Sequence, residues 1–196
     1  MGNFIDDFVG SLGGDVSKQV SSSLGIDSGT VMKMLPQIAP LILGGLKKQK
    51  DEHGGSDRVD HILNKYGSSS VLDNLGDLFS SKAQDKNPDP NLGGLLGNSG
   101  GEAANLISKQ FGLDSGTAMK LIPMLAPVIL GFLTKQRDQG GMGSSGISSL
   151  LDQDGDGSVL DDVAGFLMQG MGSSSQKSGG NLLGGLLGGL FGKKGK

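Results

Sequence analysis

Three stretches of this 196-residue chain place side chains at spacings that can do chemistry. The sharpest is Asp152-Gln153-Asp154-Gly155-Asp156-Gly157-Ser158. Carboxylates at positions 1, 3 and 5, a glycine at 6 for the tight turn and a backbone carbonyl at 7 make the first half of a calcium loop. At position 12, where such loops carry a bidentate Glu, stands Val163; Asp161 can close a shorter loop instead, with Asp162 the weaker substitute. Three or four carboxylates in one loop repel unless a cation offsets them. One calcium site is therefore expected, on Asp152, Asp154, Asp156, Ser158 and Asp161. The competing reading is a solvated Asp/Gly turn followed by a capping box from Ser158 to Asp161.

The second stretch is DSGT, at Asp27 to Thr30 and again at Asp114 to Thr117. Paired segments of this kind serve acid proteases, where two carboxylates share one proton. That chemistry needs surrounding strands, whereas each copy here follows a glycine stop and opens a helix, so an N-capping Asp accounts for the residue. The third is Ile107 to Ile122, a helix, a glycine turn and a second helix with apolar anchors, the outline of a helix-turn-helix. Reading DNA needs basic or amide side chains on the second helix and basic flanks, and only Lys120 qualifies, with Lys33 in the other copy. Gly141 to Gly146 fits GxGxxG by letters but follows a polar loop rather than a strand, and reads as a flexible linker. His53 and His61 have no carboxylate or nucleophile at useful spacing and read as loop surface and helix surface.

The elements that must position these residues are set by a duplication. The stretch from Gly25 to Gln49 returns 87 positions later, from Gly112 to Gln136, with roughly two-thirds of the pairs identical and most others apolar swaps. One inserted residue later, Val59 to Phe79 matches Ile147 to Leu167. Asn64, Tyr66 and Ser68 stand where the second copy has its aspartates, so the first copy carries no calcium loop. The opening Asn3 to Gly10 is echoed by Asn91 to Gly97 and again by Asn181 to Gly188. The tail thus looks like the first element of a third unit.

Apolar periodicity predicts a short helix over 3–10 ended by Gly13-Gly14, a second over 15–24, and a third capped by Asp27. A further helix starts near Pro36, bends or restarts near Pro40 and runs to Gln49 as the buried centre of the unit. A polar loop over 50–57, a helix over 58–65 and a last helix opened by a Ser70 to Asp73 capping box complete it. The fold expected is all-α, two tandem repeats of about five short helices, each burying its own proline-bent helix. The boundaries are 1–80 for repeat 1, 81–100 for a linker with a short Leu/Gly segment, 101–170 for repeat 2 and 171–196 for the Leu/Gly tail.

Composition narrows the function. Glycine numbers 37 and aromatics make up 4% with no Trp, so Leu, Ile, Val, Met and Ala must fill a lean helical core. A net charge of −3 gives no pull toward nucleic acid or anionic membrane. The absence of Cys removes disulfides, thiolate metal sites and a cysteine nucleophile. The acidic start MGNFIDDFVG lacks the basic region of a signal peptide, and the longest near-apolar run, Leu121 to Leu133, holds two prolines and falls short of the ~20 residues a spanning helix needs. A soluble, cytoplasmic protein is expected.

In the tail, Leu182, Leu183, Leu186, Leu187 and Leu190 form one stripe, with Gly184, Gly188 and Gly192 open to close approach by another helix. Glycines cost ~1 kcal/mol each in a helix, so alone in water it should be largely unfolded. It either folds back, docks on another subunit head to tail, or lies on a membrane surface with help from Lys193, Lys194 and Lys196.

The repeated DSGT…LP…AP…ILG segment, the DGDGSVLDD loop and the Leu-Gly-Gly blocks resemble the YidB-like family of bacterial proteins, a domain of unknown function. The resemblance covers nearly the whole chain as two copies and implies an all-helical bacterial protein; it carries over no catalytic residue. The expectation is a non-enzymatic structural or interaction protein, a homo-oligomer or partner binder, with one calcium loop. The alternative is a helix-turn-helix nucleic-acid binder.

Overall fold

The computed structural model describes residues 4–139, 141 and 143–152. Among these residues seven α-helices run in order: α1 (Phe4–Leu24), α2 (Ser28–His53), α3 (Gly55–Tyr66), α4 (Leu75–Ala83), α5 (Ser99–Phe111), α6 (Ser115–Asp138) and α7 (Gly143–Asp152). Short 3-10 helices at Ser69–Asp73 and Leu92–Gly94 join them, and no strand occurs among the described residues.

Several elements are longer than local signals predict. Gly13-Gly14 does not end the first helix, because the glycine is used for proximity instead of a turn. Gly13 is buried, and a Cβ there would stand 3.1 Å from the Met32 sulfur of α2. Nor do the prolines restart anything. Both α2 and α6 run unbroken across their pairs, Pro36/Pro40 and Pro123/Pro127. Proline spaced four apart makes the second ring abut the carbonyl of the first, so the missing N–H groups fall along one line of each helix. The helix cost is offset by burial: Leu121 to Ala126 and Val128 to Leu133 are all buried.

The polar stretch expected as a loop is mostly helix. α2 continues to His53, and Gly54 (φ 130°) and Gly55 (φ 65°) turn the chain into α3. The Ser70 to Asp73 capping box is replaced by the 3-10 helix, in which the Ser70 hydroxyl pairs with that of Ser68 at 2.7 Å. The DSGT caps form as expected. Asp27 Oδ2 accepts from Thr30 N at 2.9 Å and Asp114 Oδ1 from Thr117 N at 2.9 Å, each at an exposed helix start.

One continuous core joins the two related stretches, contrary to the expectation that each half covers its own long helix. α6 is packed by α5 but also by α3, α4 and the Ser69–Asp73 helix, while α7 reaches across to α2. The crossing of the Gly67–Ser68 turn over α6 is close enough to demand glycine on both sides. A Cβ on Gly67 would sit 2.8 Å from the Leu130 carbonyl oxygen, and one on Gly131 would sit 2.9 Å from that of Ser68. At the other end Phe4, Phe8 and Phe132 form a ring cluster with centroids 5.4–6.5 Å apart, so α1 also touches α6. By length and composition α6 could cross a membrane; most of it is buried against its neighbours, as a core helix is.

A polar knot closes the bundle. Arg137 of α6 donates to Asp60 Oδ1 (3.0 Å) and Asn64 Oδ1 (2.8 Å) of α3 and to Asp138 (2.7 Å), while the Ser144 hydroxyl of α7 donates to the other Asp60 oxygen at 2.7 Å. The Arg137 guanidinium holds the Asp138 carboxyl below the usual carboxylate range.

This packing can be tested at three positions. Gly67→Ala should cost about 1–3 kcal/mol by overpacking against backbone that cannot yield, read as a lower urea midpoint at unchanged slope. Arg137→Ala should cost about 1–2 kcal/mol by leaving Asp60 without its strongest partner. Because the folded Asp138 pKa is depressed, its contribution is complete above the unfolded value near 3.8 and is lost as pH falls through the folded one. The stability difference between wild type and Asp138→Asn should therefore shrink below about pH 4 in acid-unfolding curves.

Candidate functional site

Where α3 crosses α6, a cleft of about 550 Å³ opens between the end of α2, the end of α4 and the 85–95 segment. Its position follows from spacing. Arg58, Ile62 and Tyr66, four apart on α3, line one wall, and Pro123, Ala126, Pro127 and Leu130 of α6 line the floor. Prolines have no N–H, so this floor offers little hydrogen bonding and a largely apolar face. Its volume lies in the range of small-molecule sites.

The polar groups of the cleft are unequally engaged. Arg58 Nε donates to Gln49 Oε1 at 3.1 Å, and Gln49 itself is buried, so the guanidinium is held in place by a side chain that cannot swing away. Lys82, at the end of α4, lines the cleft with no ion-pair or hydrogen-bond partner among the described residues. The two carboxylates are bonded to the backbone of their own turns. Asp85 Oδ1 accepts from Asn87 N at 3.0 Å; Asp89 takes Asn91 N at 2.9 Å on one oxygen and Gly93 N at 2.6 Å on the other. Tyr66 stands on the rim, half-exposed, with the Lys65 ammonium 5.1 Å from its ring centroid.

Beside the cleft lies a second contact of interest, the first internal Leu/Gly block. Leu95 and Leu96 are buried against Gly45 of α2, where a Cβ would come within 2.9 Å of the Leu95 carbonyl oxygen. Asp89 and Asn91 hold the block in its turns, Asn91 through a bond from Gly101 N at 3.0 Å and its own carbonyl bonded by Leu96 N at 3.1 Å. That arrangement keeps Leu92 at φ 54°, a region costing roughly 1–2 kcal/mol for an L-residue.

The residues singled out from sequence fall as follows. Of the calcium loop, Asp152 is the last described residue of α7; Asp154, Asp156, Ser158 and Asp161 lie outside the described residues, as does the tail. Among the described residues no three His, Asp or Glu side chains gather as metal ligands. Asp27 and Asp114 are each engaged by a threonine at separate helix starts, and hydrogen bonds from Thr117 lower the Asp114 pKa. Lys120 does not face outward as a DNA reader would; its ammonium donates to the Ala83 carbonyl at the end of α4, 2.6 Å away. The helix that carries it is mostly buried from Ala118 to Thr134, which leaves little beyond its two ends to meet a groove. His61 is exposed on α3 as expected, whereas His53 ends α2 and lines the cleft, because the helix outlasts the apolar pattern.

Arg58, Lys82 and Gln49 escaped the sequence reading. The available signal was the i, i+4, i+8 spacing of Arg58, Ile62 and Tyr66, one stripe mixing charge and apolar surface. What joins it to Lys82 and Pro127 is tertiary.

No curated protein and no solved structure matches the chain. A family model, described as "Bacterial protein of unknown function (DUF937)", matches residues 6–136 and 138–194. With nearly its whole length accounted for by that match and an all-helical fold around two related proline helices, the chain belongs to the DUF937 family of bacterial proteins.

Proposed function

We propose that this chain is a non-enzymatic interaction protein, built by tandem duplication and similar to the YidB-like proteins, that self-assembles through its Leu/Gly tail. The observation that carries this is the seat of the internal Leu/Gly block. Leu92-Gly93-Gly94-Leu95-Leu96-Gly97 recurs letter for letter as Leu183 to Gly188. In the first occurrence Leu95 and Leu96 are buried against Gly45 of the long proline helix α2, with Leu92 partly buried, which supports a docking role for the second. Such an end-to-surface contact is heterologous and propagates between copies. Cytoplasmic placement and membrane-surface binding by the tail remain secondary parts of the same proposal.

One calcium ion on Asp152, Asp154, Asp156, Ser158 and Asp161 belongs to it as well. The alternating Asp152, Asp154 and Asp156 ahead of Gly157 support this, since such a carboxylate spacing with a following glycine is that of a calcium loop.

The assembly reading expects Leu186→Asp/Leu187→Asp in the full chain to lower the mass seen by light scattering at high concentration; an unchanged mass rejects it. For the ion, calorimetric titration of calcium should give one binding event in wild type and a loss of at least about tenfold in affinity in Asp154→Ala. Wild type that takes up no heat removes the site.

A further inference from the structure

We propose that the cleft between α3 and α6 binds a small amphipathic anion, a carboxylate carrying an apolar body. The inference is independent of assembly and of the calcium loop.

Charge in the cleft is decisive. By charge, Arg58 and Lys82 are matched in number by Asp85 and Asp89. By contact they are not paired: among the described residues neither aspartate forms an ion pair with Arg58 or Lys82, and three of the four carboxylate oxygens accept backbone N–H groups of their own turns. Arg58 uses only Nε internally, and its two Nη groups and the Lys82 ammonium have no partner among the described residues. A partly buried cation is stabilised strongly by a paired carboxylate, and a guanidinium whose Nε is pinned presents its remaining donors as a fixed fork. Gln49 is the pin. Its burial at 8% exposure makes Arg58 a prepared donor and not a wandering surface chain.

The rest of the cleft selects against a simple inorganic anion. Ile62, Leu92, Leu95, Pro127 and Leu130 supply apolar wall beside the cations, and the volume exceeds what phosphate or acetate would fill. An anion with a hydrocarbon body satisfies both halves. It would set its head against Arg58 and Lys82 and its chain along the proline floor.

The chain has no Trp, so Tyr66→Trp places a single fluorescent reporter on the rim. Dodecanoate, kept below its micelle concentration, should saturate a change in that emission. Arg58→Gln and Lys82→Gln, each in the full chain, should weaken it about tenfold, Lys82→Gln with an unchanged thermal midpoint, and Arg58→Lys should recover part of the loss. Dodecyltrimethylammonium and dodecanol should bind far more weakly than dodecanoate. Equal binding of all three would make this an uncharged apolar groove and overturn the proposal. So would dodecanoate binding that ignores both Gln variants, no dodecanoate binding, or a synthetic acidic peptide that binds more tightly than dodecanoate.

Discussion

The structure depends on burying two long helices that each lack two backbone donors. α2 and α6 carry their prolines in the most apolar part of the sequence. A helix so interrupted is poor on its own, since each interior proline costs ~3 kcal/mol. It persists because the same segment is the core. Nearly every residue of α6 from Ala118 to Thr134 is out of water, and apolar burial at roughly 25 cal/mol per Å² outweighs the missing bonds. The elements around these helices are therefore arranged to cover them.

Covering two such helices with short, glycine-rich elements forces sharing. Neither long helix is wrapped by its own neighbours alone: α3, α4 and the Ser69–Asp73 helix lie on α6, and α7 lies on α2. Glycine makes these crossings possible. At Gly13, Gly45, Gly67 and Gly131 the partner is close enough that a methyl group would collide with or crowd it. The high glycine content thus reflects close helix contact as much as turns. Arg137 then ties α3, α6 and α7 at one point, through Asp60, Asn64 and Ser144.

The cleft is a by-product of that sharing. It exists because α3 leaves α2 at the Gly54-Gly55 turn and crosses the proline floor of α6, with the 85–95 segment bounding it. Its cations come from α3 and the end of α4 and its floor from α6. No local motif contains both, so the sequence carries only the α3 stripe of the site.

Read from the sequence alone, the all-helical class, the two Asp caps, the αL glycine turn at Gly112 and the equivalence of α2 with α6 were legible, because each rests on interactions within a few residues. Helix lengths were not. Gly13-Gly14 and the proline pairs are breakers by propensity, and only packing, which supplies more free energy than propensity removes, carries helices through them. Arg58 was a plain surface cation in the sequence, and the turn of chain that buries Gln49 beside it is what makes it a directed one. Local chemistry named the elements, and the choice of which helix covers which was left to long-range burial, a quantity no short window of residues contains.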